Sequence, residues 1–379
     1  MEVLHINCNY AGTVLHRHMI THLNEYDIKS CVYCPIYQKE DIDVSTPGAE
    51  VILSRCFSKW HRFVFDYKQS RILKDLQKKC DVSAYRCIHA YTLFTDGNAA
   101  RKLGKKYNLP YVVAVRATDV QVFFKRLFYL RKRGVNILKD AAAVFFLSES
   151  YRTLVLDTYV PANLRQEILD KSYIMPNGID DFWLENLFTA KKAMLEETAA
   201  RIAQKQLKVV YAGVISNRKN PIATQEALQL LRKRGWNVKY TAVGRVADKD
   251  LHEKMCAYPD TAYVEQQPKE ALLKFYREND IFVMPSHSET FGLVYSEAMS
   301  QGLPVLYTRG QGFDGQFPEG TVGYSVMDNS PEDIADKIEA VASDYVRLAE
   351  NVLNLAEKFR WADICGKYKE IYDEIVKTK

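Results

Sequence analysis

The sequence predicts an α/β protein built from two Rossmann-like domains that face each other across a cleft. Short β-rich runs alternate with longer helical segments along most of the chain, a pattern typical of parallel sheets covered by helices on both faces. The alternation stops between about residues 180 and 205, where the composition becomes rich in Ala, Glu and Lys. A length of 379 residues is also suited to two domains.

The β-rich runs fall into two series, one on each side of that break. Those of the first series are 3–7, 28–34, 87–90, 111–115, 143–147 and 172–175, and those of the second are 208–214, 238–243, 262–264, 281–284 and 304–307. The predicted domains are residues 1–185 and 186–358. Residues 359–379 are predicted to form a C-terminal helix, because apolar side chains recur there with helical spacing. We expect this helix to pack back on the N-terminal domain.

The composition excludes several classes of protein. Apolar residues make up 47% and charged residues 26%, which is ordinary for a globular chain and excludes disorder, collagen and a coiled-coil rod. No apolar run approaches the roughly 18 residues that a membrane-spanning helix needs. The first residues contain Glu2 and no basic stretch, so they do not predict a secretory signal. Eight Cys in a chain of this size predict reduced thiols and a cytoplasmic protein.

Positive charge is concentrated in one part of the N-terminal half. Residues 51–139 contain 20 basic and 5 acidic side chains, whereas the net charge of the whole chain is +5. Such a concentration of positive charge can attract phosphate, an anionic lipid surface or an acidic polymer, or it can simply be a solvated surface. Residues 121–139 mix aromatic and basic side chains, which predicts one basic amphipathic helix, either on an anionic membrane or on the protein's own surface. Nucleic-acid binding fits less well, because no recognised motif accompanies the charge.

The segment 284–305 is the most informative of the chain for function. A buried strand is followed by the polar loop SHSET, and a helix is predicted to begin near Phe291, Gly292 and Leu293. Backbone N–H groups at a helix start can receive a phosphate, and Gly292 permits close approach of the backbone.

Two glutamates flank this predicted helix start. A carboxylate such as Glu297, inside the helix, can accept both hydroxyls of a ribose. Glu289, at the tip of the loop, can meet a sugar hydroxyl, or together with Thr290 it can simply cap the helix.

A basic pair follows the first strand of the C-terminal series. Arg218 and Lys219 lie between the strand 208–214 and the next helix, and therefore at the carboxyl end of that strand. A leaving nucleoside diphosphate needs positive charge as its bond to a sugar breaks. Arg, Lys and helix N-termini can supply that charge without a metal ion.

The string ETFGLVYSE, residues 289–297, resembles the E-x7-E signature of the retaining family 4 glycosyltransferases. The resemblance extends over nearly the whole chain, because it includes the segments LHINCNYAGTVLHRH, CIHAYTLFTDGNAA, FLSES, MPNGID and RWADICGKYKEIYDEI. It implies the GT-B fold, in which the C-terminal domain binds a nucleotide-sugar donor and the N-terminal domain binds the acceptor. It also implies transfer with retention at the anomeric carbon and no essential metal or other cofactor.

The resemblance implies roles for residues on both sides of the reaction, with some departures. Lys219 falls at the family's Lys position, whereas Val214 stands at the usual Arg position, and we expect Arg218 to compensate. Gly12 would bring its N–H toward the diphosphate. On the acceptor side, Arg116 and Ala117 replace the family's His-Gly pair, while Asp119 is retained and His89 ends a strand beside the cleft. Arg116 either holds an anionic group of a substrate or is a structural partner of Asp119.

The prediction from sequence is a hexosyltransferase-type enzyme that uses a nucleotide-sugar, preferably a UDP-sugar. Its catalytic residues would be Glu289, Lys219, Arg218 and Asp119, and the residues Gly12, Phe291, Gly292, Leu293 and Glu297 would complete the donor site. A saccharide or lipid-linked acceptor would be extended in polysaccharide or glycolipid synthesis, in the cytoplasm or at the inner face of the cell membrane. Two other functions are compatible with this chain, a nucleotide-sugar epimerase and a non-catalytic nucleotide-sugar-binding scaffold.

Overall fold

The computed structural model describes residues 1–37 and 43–378. Contacts within the chain divide it into two compact units. The N-terminal unit consists of Met1–Gly178 together with Trp361–Lys379, and the C-terminal unit consists of Ile179–Arg360. In the part of the chain that is described, no helix is both long enough and apolar enough to cross a membrane.

The N-terminal unit is built on a parallel sheet. The strands are β1 (Glu2–Ile6), β2 (Lys29–Ile36), β3 (Ala49–Arg55), β4 (Cys87–Ala90), β5 (Tyr111–Val115), β6 (Ala143–Phe146) and β7 (Ser172–Ile174). Their order in the sheet is β3-β2-β1-β4-β5-β6-β7, with every pair parallel. The direction of winding therefore reverses between β1 and β4, and in open α/β sheets this is the place where ligands bind, outside the carboxyl ends of the strands.

Helices cover both faces of this sheet. They are α1 (Leu15–Asn24), α2 (Phe65–Lys79), α3 (Thr95–Tyr107), α4 (Arg131–Asp140), α5 (Glu149–Tyr159) and α6 (Ala162–Asp170). One apolar core lies between the sheet and helices α2 to α6, and a second lies on the opposite face, beneath α1. The strands β4, β5 and β6 are buried on both faces, which explains why they are continuous apolar runs rather than alternating ones.

The C-terminal unit contains a second parallel sheet. Its strands are β8 (Gln206–Ala212), β9 (Asn237–Val243), β10 (Thr261–Val264), β11 (Ile281–Met284), β12 (Val305–Thr308) and β13 (Gly323–Val326), and their order is β10-β9-β8-β11-β12-β13. Its helices are α7 (Asp181–Glu185), α8 (Lys192–Ala203), α9 (Pro221–Lys233), α10 (Lys249–Cys256), α11 (Lys269–Arg277), α12 (Leu293–Ser300), α13 (Pro331–Ser343) and α14 (Tyr345–Leu355). Here the winding reverses between β8 and β11.

The last helix of the chain, α15 (Trp361–Lys377), belongs to the N-terminal unit and packs on α1. It buries one apolar face, formed by Trp361, Ile364, Cys365, Tyr368, Ile371, Tyr372 and Ile375. The Trp361 ring packs directly on Gly178, where an added Cβ would come within 2.4 Å of the ring. The prediction that the C-terminal helix returns to the N-terminal domain is confirmed.

The predicted fold class is confirmed, since both units are parallel α/β sheets flanked by helices. Two strands are missing from the sequence prediction, β3 and β13. Both lie at an edge of their sheet and pair on one side only. β3 is only partly buried and β13, GYSV, has no apolar run, so neither gives the sequence signal of a buried central strand.

The prediction of one helix over 121–139 is wrong. Residues Asp119–Phe124 form a π-helical turn, Phe128–Leu130 form a 3₁₀ turn, and α4 begins only at Arg131. The reason is tertiary packing, because the Phe124 side chain is fully buried between the rings of Phe94 and Tyr159. A straight amphipathic helix would not direct Phe124 into the core while keeping Phe128 exposed.

Candidate functional site

Arg218 and Lys219 lie at the point where the second sheet reverses its winding. They belong to a 3₁₀ turn, Asn217–Lys219, between the end of β8 and the start of α9. Two stretches of backbone approach each other closely here, at Gly213 and Gly244. A Cβ on Gly244 would come within 1.8 Å of the carbonyl oxygen of Gly213, so the approach requires glycine. The side chain of Asn220 then fixes the loop after β11, since its Nδ2 donates hydrogen bonds to the carbonyls of Pro285 and Asp328.

The loop between β11 and α12 brings Glu289 to this turn. Lys219 Nζ donates a hydrogen bond to Glu289 Oε2, and the two side chains form an ion pair. Lys219 is only 9% exposed and Glu289 only 8%, so both charges are largely removed from water. The backbone N–H of Thr290 donates to Glu289 Oε1 at 3.0 Å, and that of Glu289 donates to Gln311 Oε1 at 3.0 Å. The carboxylate is therefore held in one position.

Arg218 lies on the exposed side of the same turn. Its Nη1 donates to the carbonyl oxygen of Ser288 at 2.8 Å, one residue before Glu289. Val214, which stands where the family has Arg, contributes only its carbonyl oxygen, which accepts from the Tyr211 hydroxyl at 2.9 Å. Arg218 therefore brings a guanidinium to the β11–α12 loop.

The N-terminus of α12 points its first N–H groups toward the same loop. Gly292 precedes the helix with φ = +78°, and a Cβ there would meet the Tyr295 ring at 2.4 Å. This left-handed conformation and the close contact both require glycine. Phe291 is 2% exposed and packs against Phe313 and Phe359, so it offers its backbone rather than its ring.

Glu297 lies one turn further along α12 and is half-buried. Burial, followed by the negative charge of Asp180, raises the pKa of Glu297 to about 7. Asp180 itself is paired with Lys269, whose Nζ contacts both of its carboxylate oxygens at 2.8 and 2.9 Å. A carboxyl group poised near neutral pH is characteristic of functional sites, although structural ion pairs also produce such shifts.

In the N-terminal unit, the Asp119 carboxylate is hydrogen-bonded to backbone N–H groups. It accepts hydrogen bonds from the N–H groups of Leu93, Phe94 and Arg116, at 2.9 to 3.1 Å. Burial raises its pKa to about 6, although these hydrogen bonds act to lower it. With both oxygens committed and 1% exposure, Asp119 fixes the loops after β4 and β5. The catalytic role of Asp119 stays a prediction.

The guanidinium of Arg116 is held by groups other than the Asp119 carboxylate, to which Arg116 donates only through its backbone N–H. Its Nε donates to the carbonyl of Tyr91 at 3.2 Å, and its Nη1 donates to Asn177 Oδ1 at 3.1 Å. The structure thus does not show the predicted pairing of the guanidinium with Asp119, although the two charges do interact. Burial lowers the pKa of His16, and the positive charge of Arg116 lowers it further.

Two further predictions differ from the structure. The His89 ring is fully buried, hydrogen-bonded through Nδ1 to the Tyr372 hydroxyl of α15 and stacked on Tyr91 at 4.3 Å. It belongs to the core between sheet and helix, because α15 covers that face of β4. The N–H of Gly12 donates to the carbonyl of Asn9 within a 3₁₀ turn, so it is already used, and Gly12 has no positive φ.

Sequence reasoning did not find Gln311, Asn220 and Asp180, which fix the geometry of this site. Two of them carry a signal in the sequence, since Asn220 directly precedes Pro221 at the start of α9 and Asp180 ends the segment MPNGID. Over residues 1–37 and 43–378, no group of three or more His, Cys, Asp or Glu side chains is arranged to hold a metal ion.

Comparison with solved structures identifies the same fold. The chain superimposes on sucrose-phosphate synthase from Thermosynechococcus elongatus with a TM-score of 0.77 and 16% identity, covering 100% of both chains. Anabaena HepE in complex with UDP and glucose gives a TM-score of 0.68 at 16% identity, covering 99% of this chain and 100% of HepE. These levels of identity show the fold alone. They place the protein in the GT-B class.

Residues 196–359, which lie in the C-terminal unit, match the family model described as glycosyl transferases group 1. A D-inositol 3-phosphate glycosyltransferase of Corynebacterium kroppenstedtii is 30% identical over 131 residues, 34% of this chain and 29% of the relative. The Paenarthrobacter aurescens protein of that name is 28% identical over 264 residues, 65% of this chain and 61% of the relative. The chain thus spans less than two thirds of these relatives. The predicted resemblance to glycosyltransferases is confirmed.

Proposed function

We propose that this protein transfers a sugar from a nucleoside-diphosphate sugar, preferably a UDP-sugar, to a saccharide or lipid-linked acceptor. The observation that carries the proposal is the buried Lys219–Glu289 ion pair at the winding reversal of the C-terminal sheet, beside the N-terminus of α12. A cation, a fixed carboxylate and the N-terminus of a helix lie there on two neighbouring loops. The group 1 family match covers these residues, and HepE, which shares the fold, binds UDP and glucose.

The diphosphate would lie between the turn at Arg218 and the start of α12. Arg218 and Lys219 supply full positive charges, and the first N–H groups of α12 supply hydrogen bonds and the positive end of the helix dipole. This set can neutralise a leaving diphosphate without a metal ion. In the presence of the donor, Lys219 would exchange part of its contact with Glu289 for phosphate oxygens.

Glu297 would accept the two ribose hydroxyls, and Glu289 would contact the transferred sugar. Glu289 suits this task because the Thr290 N–H and Lys219 hold its carboxylate in one orientation. A carboxylate accepts hydroxyl protons best when it is ionised. The raised pKa of Glu297 therefore makes the ribose contact sensitive to pH near neutrality.

The transfer would proceed with retention, by departure and attack on the same face of the sugar. The anomeric C–O bond to the diphosphate breaks, and the acceptor oxygen forms a new C–O bond at the same carbon. The acceptor's hydroxyl proton passes to an oxygen of the departing diphosphate. Positioning and stabilisation of the leaving group supply the rate enhancement.

The N-terminal unit would bind the acceptor near Arg116. A half-buried guanidinium that already has fixed partners is pre-organised for an anionic group such as a phosphate or uronate. The relatives' names point the same way, since D-inositol 3-phosphate carries a phosphate. An acceptor of this type would place the protein in the cytoplasm, in the synthesis of polysaccharide or glycolipid.

Calorimetric titration of UDP, ADP, GDP and their glucose conjugates in EDTA tests the donor site. We expect one nucleotide to bind, and Arg218→Gln to lower its affinity by roughly tenfold or more through loss of a charge-assisted contact. Lys239→Met, which removes an exposed lysine of β9, is the matched control and should bind like the wild type. Failure of every nucleotide to bind would contradict the proposal.

Turnover separates the enzyme from its two alternatives. Release of free nucleotide only when an acceptor is added, with the product keeping the donor's anomeric configuration, supports retaining transfer. Interconversion of donor sugars without an acceptor would indicate an epimerase. Tight donor binding with no turnover across an acceptor library would favour a non-catalytic scaffold.

A further inference from the structure

Two neighbouring segments of the N-terminal unit, residues 59–68 and 122–133, form what we call the aromatic–basic surface. Trp60 is 79% exposed, Phe128 71% and Tyr129 62%. Among the described residues, eleven large apolar side chains are notably exposed, and six of them lie in these two segments: Trp60, Val64, Tyr67, Val122, Phe128 and Tyr129. Scattered exposed apolar residues need no explanation, whereas a concentration of this kind marks an interaction surface.

Packing joins the two segments. The rings of Phe65 and Phe123 lie 5.9 Å apart in an edge-to-face contact. Arg133 forms an ion pair with Asp66 at the start of α2, and its guanidinium also lies over the Phe65 ring. The exposed side chains on either side of this contact therefore belong to one continuous region of the unit.

The same region is strongly positive. Residues 59–68 and 122–133 contain eight Lys and Arg but one acidic residue, Asp66, which Arg133 neutralises. Among the basic residues whose side chains the structure describes, five are exposed: Lys59, Lys125, Arg126, Arg131 and Lys132. The partner of this surface must therefore be both anionic and able to accept apolar side chains.

We propose that the aromatic–basic surface docks the protein on an anionic phospholipid bilayer. Trp and Tyr favour the headgroup region because their rings are apolar at one end and polar at the other, and Lys and Arg there pair with lipid phosphates. Each basic residue near an anionic leaflet strengthens binding by about fivefold. The aliphatic side chains Val64 and Val122 fit the acyl boundary, whereas they have no role in stacking on nucleic-acid bases.

The broken backbone determines how docking would occur. Residues 119–130 form two short turns rather than a long helix. Their exposed side chains therefore lie on short turns that are anchored in the core of the N-terminal unit. Phe124 and Leu130 anchor those turns in the N-terminal unit, at 0% and 2% exposure. Insertion of Trp60 and Phe128 would therefore need no refolding. Docking does not depend on the proposed transferase activity.

Vesicle flotation of the full chain tests the proposal. Binding is expected with vesicles containing about 40% phosphatidylglycerol and not with pure phosphatidylcholine, and it should weaken with salt. The double variants Trp60→Ser/Phe128→Ser and Lys125→Glu/Lys132→Glu should each lower the partition coefficient at least tenfold. Their controls are Met194→Ser/Met327→Ser and Lys239→Glu/Lys254→Glu, which change exposed residues of the C-terminal unit and should bind like the wild type.

Trp60 also provides a spectroscopic readout. Of the other three Trp, Trp183 and Trp361 are each only 2% exposed, and Trp236 is half-buried in the C-terminal unit, where its Nε1 donates to Glu339. Anionic vesicles should shift the fluorescence to shorter wavelength, and Trp60→Phe should abolish the shift while leaving the circular dichroism spectrum unchanged. Absence of vesicle binding would overturn the proposal, as would equal binding by the aromatic variant. Retention of a single-stranded RNA or an acidic peptide in place of vesicles would assign the surface to that partner instead.

Discussion

Lowering the pH from 8 to 6 is expected to weaken the binding of UDP-glucose about tenfold, through protonation of Glu297. Burial and the charge of Asp180 raise the pKa of this carboxyl to about 7. Roughly nine tenths of the group is therefore ionised at pH 8 and roughly one tenth at pH 6. If only the ionised form accepts the ribose hydroxyls, the affinity follows that fraction.

Calorimetry of UDP-glucose in EDTA at pH 6, 7 and 8 checks this prediction. UDP-glucose is preferable to UDP because its phosphates are both diesterified, so the ligand does not titrate in this range. Glu297→Gln should bind weakly at every pH, without the tenfold change. Glu226→Gln alters an exposed carboxylate of α9 and should keep the wild-type profile. A wild-type affinity that is the same at pH 6 and pH 8 would refute the reasoning.

Three further predictions concern stability and are measured by urea unfolding. Lys219→Met should lower the free energy of unfolding by roughly 3 kcal/mol, because it leaves Glu289 buried without its cation, and an unchanged midpoint would contradict this. Burial lowers the pKa of His5 to about 3, below its value of about 6.5 in the unfolded chain, so its contribution to stability is present above pH 6.5 and is lost as the pH falls. Between pH 7.5 and pH 5, His5→Gln should therefore gain about 2 kcal/mol relative to the wild type, and a constant difference would be contrary evidence. Gly178→Ala should cost about 1–3 kcal/mol, because its Cβ would meet the Trp361 ring at 2.4 Å, and wild-type stability would show that α15 can shift freely.

The sequence predicted most of the sheet elements, for a physical reason that is clear at the central strands. Runs such as YVVAV in β5 and IFVM in β11 are apolar throughout because helices cover both faces of a parallel sheet. The edge strands β3 and β13 were missed, because β3 is only partly buried and β13, GYSV, contains no apolar run. The prediction of a helix over 121–139 was wrong because the periodicity of apolar residues does not show which of them are buried. Phe124 is buried in the core, and the backbone around it departs from an α-helix.

The site was predictable where it depends on chain order. Arg218 and Lys219 follow β8, and Glu289 follows β11, so parallel strands place them at one edge of the sheet. It was not predictable where it depends on which atoms meet. His89 also follows this positional rule, because it lies near the end of β4. It is nevertheless buried beneath Tyr372 of α15, a helix that begins 272 residues later in the chain.

By itself, the sequence determined the alternation of strands and helices, the basic turn after β8 and the two glutamates around α12, because these features are set by neighbours in the chain. The tertiary structure decided the Lys219–Glu289 pairing between residues 70 apart, the commitment of Asp119 to backbone N–H groups and the raised pKa of Glu297. It also decided that two turns present exposed aromatic side chains on one basic surface. Burial and electrostatic interaction depend on distance in space, and residues far apart in the chain become neighbours only when the sheets and helices have packed.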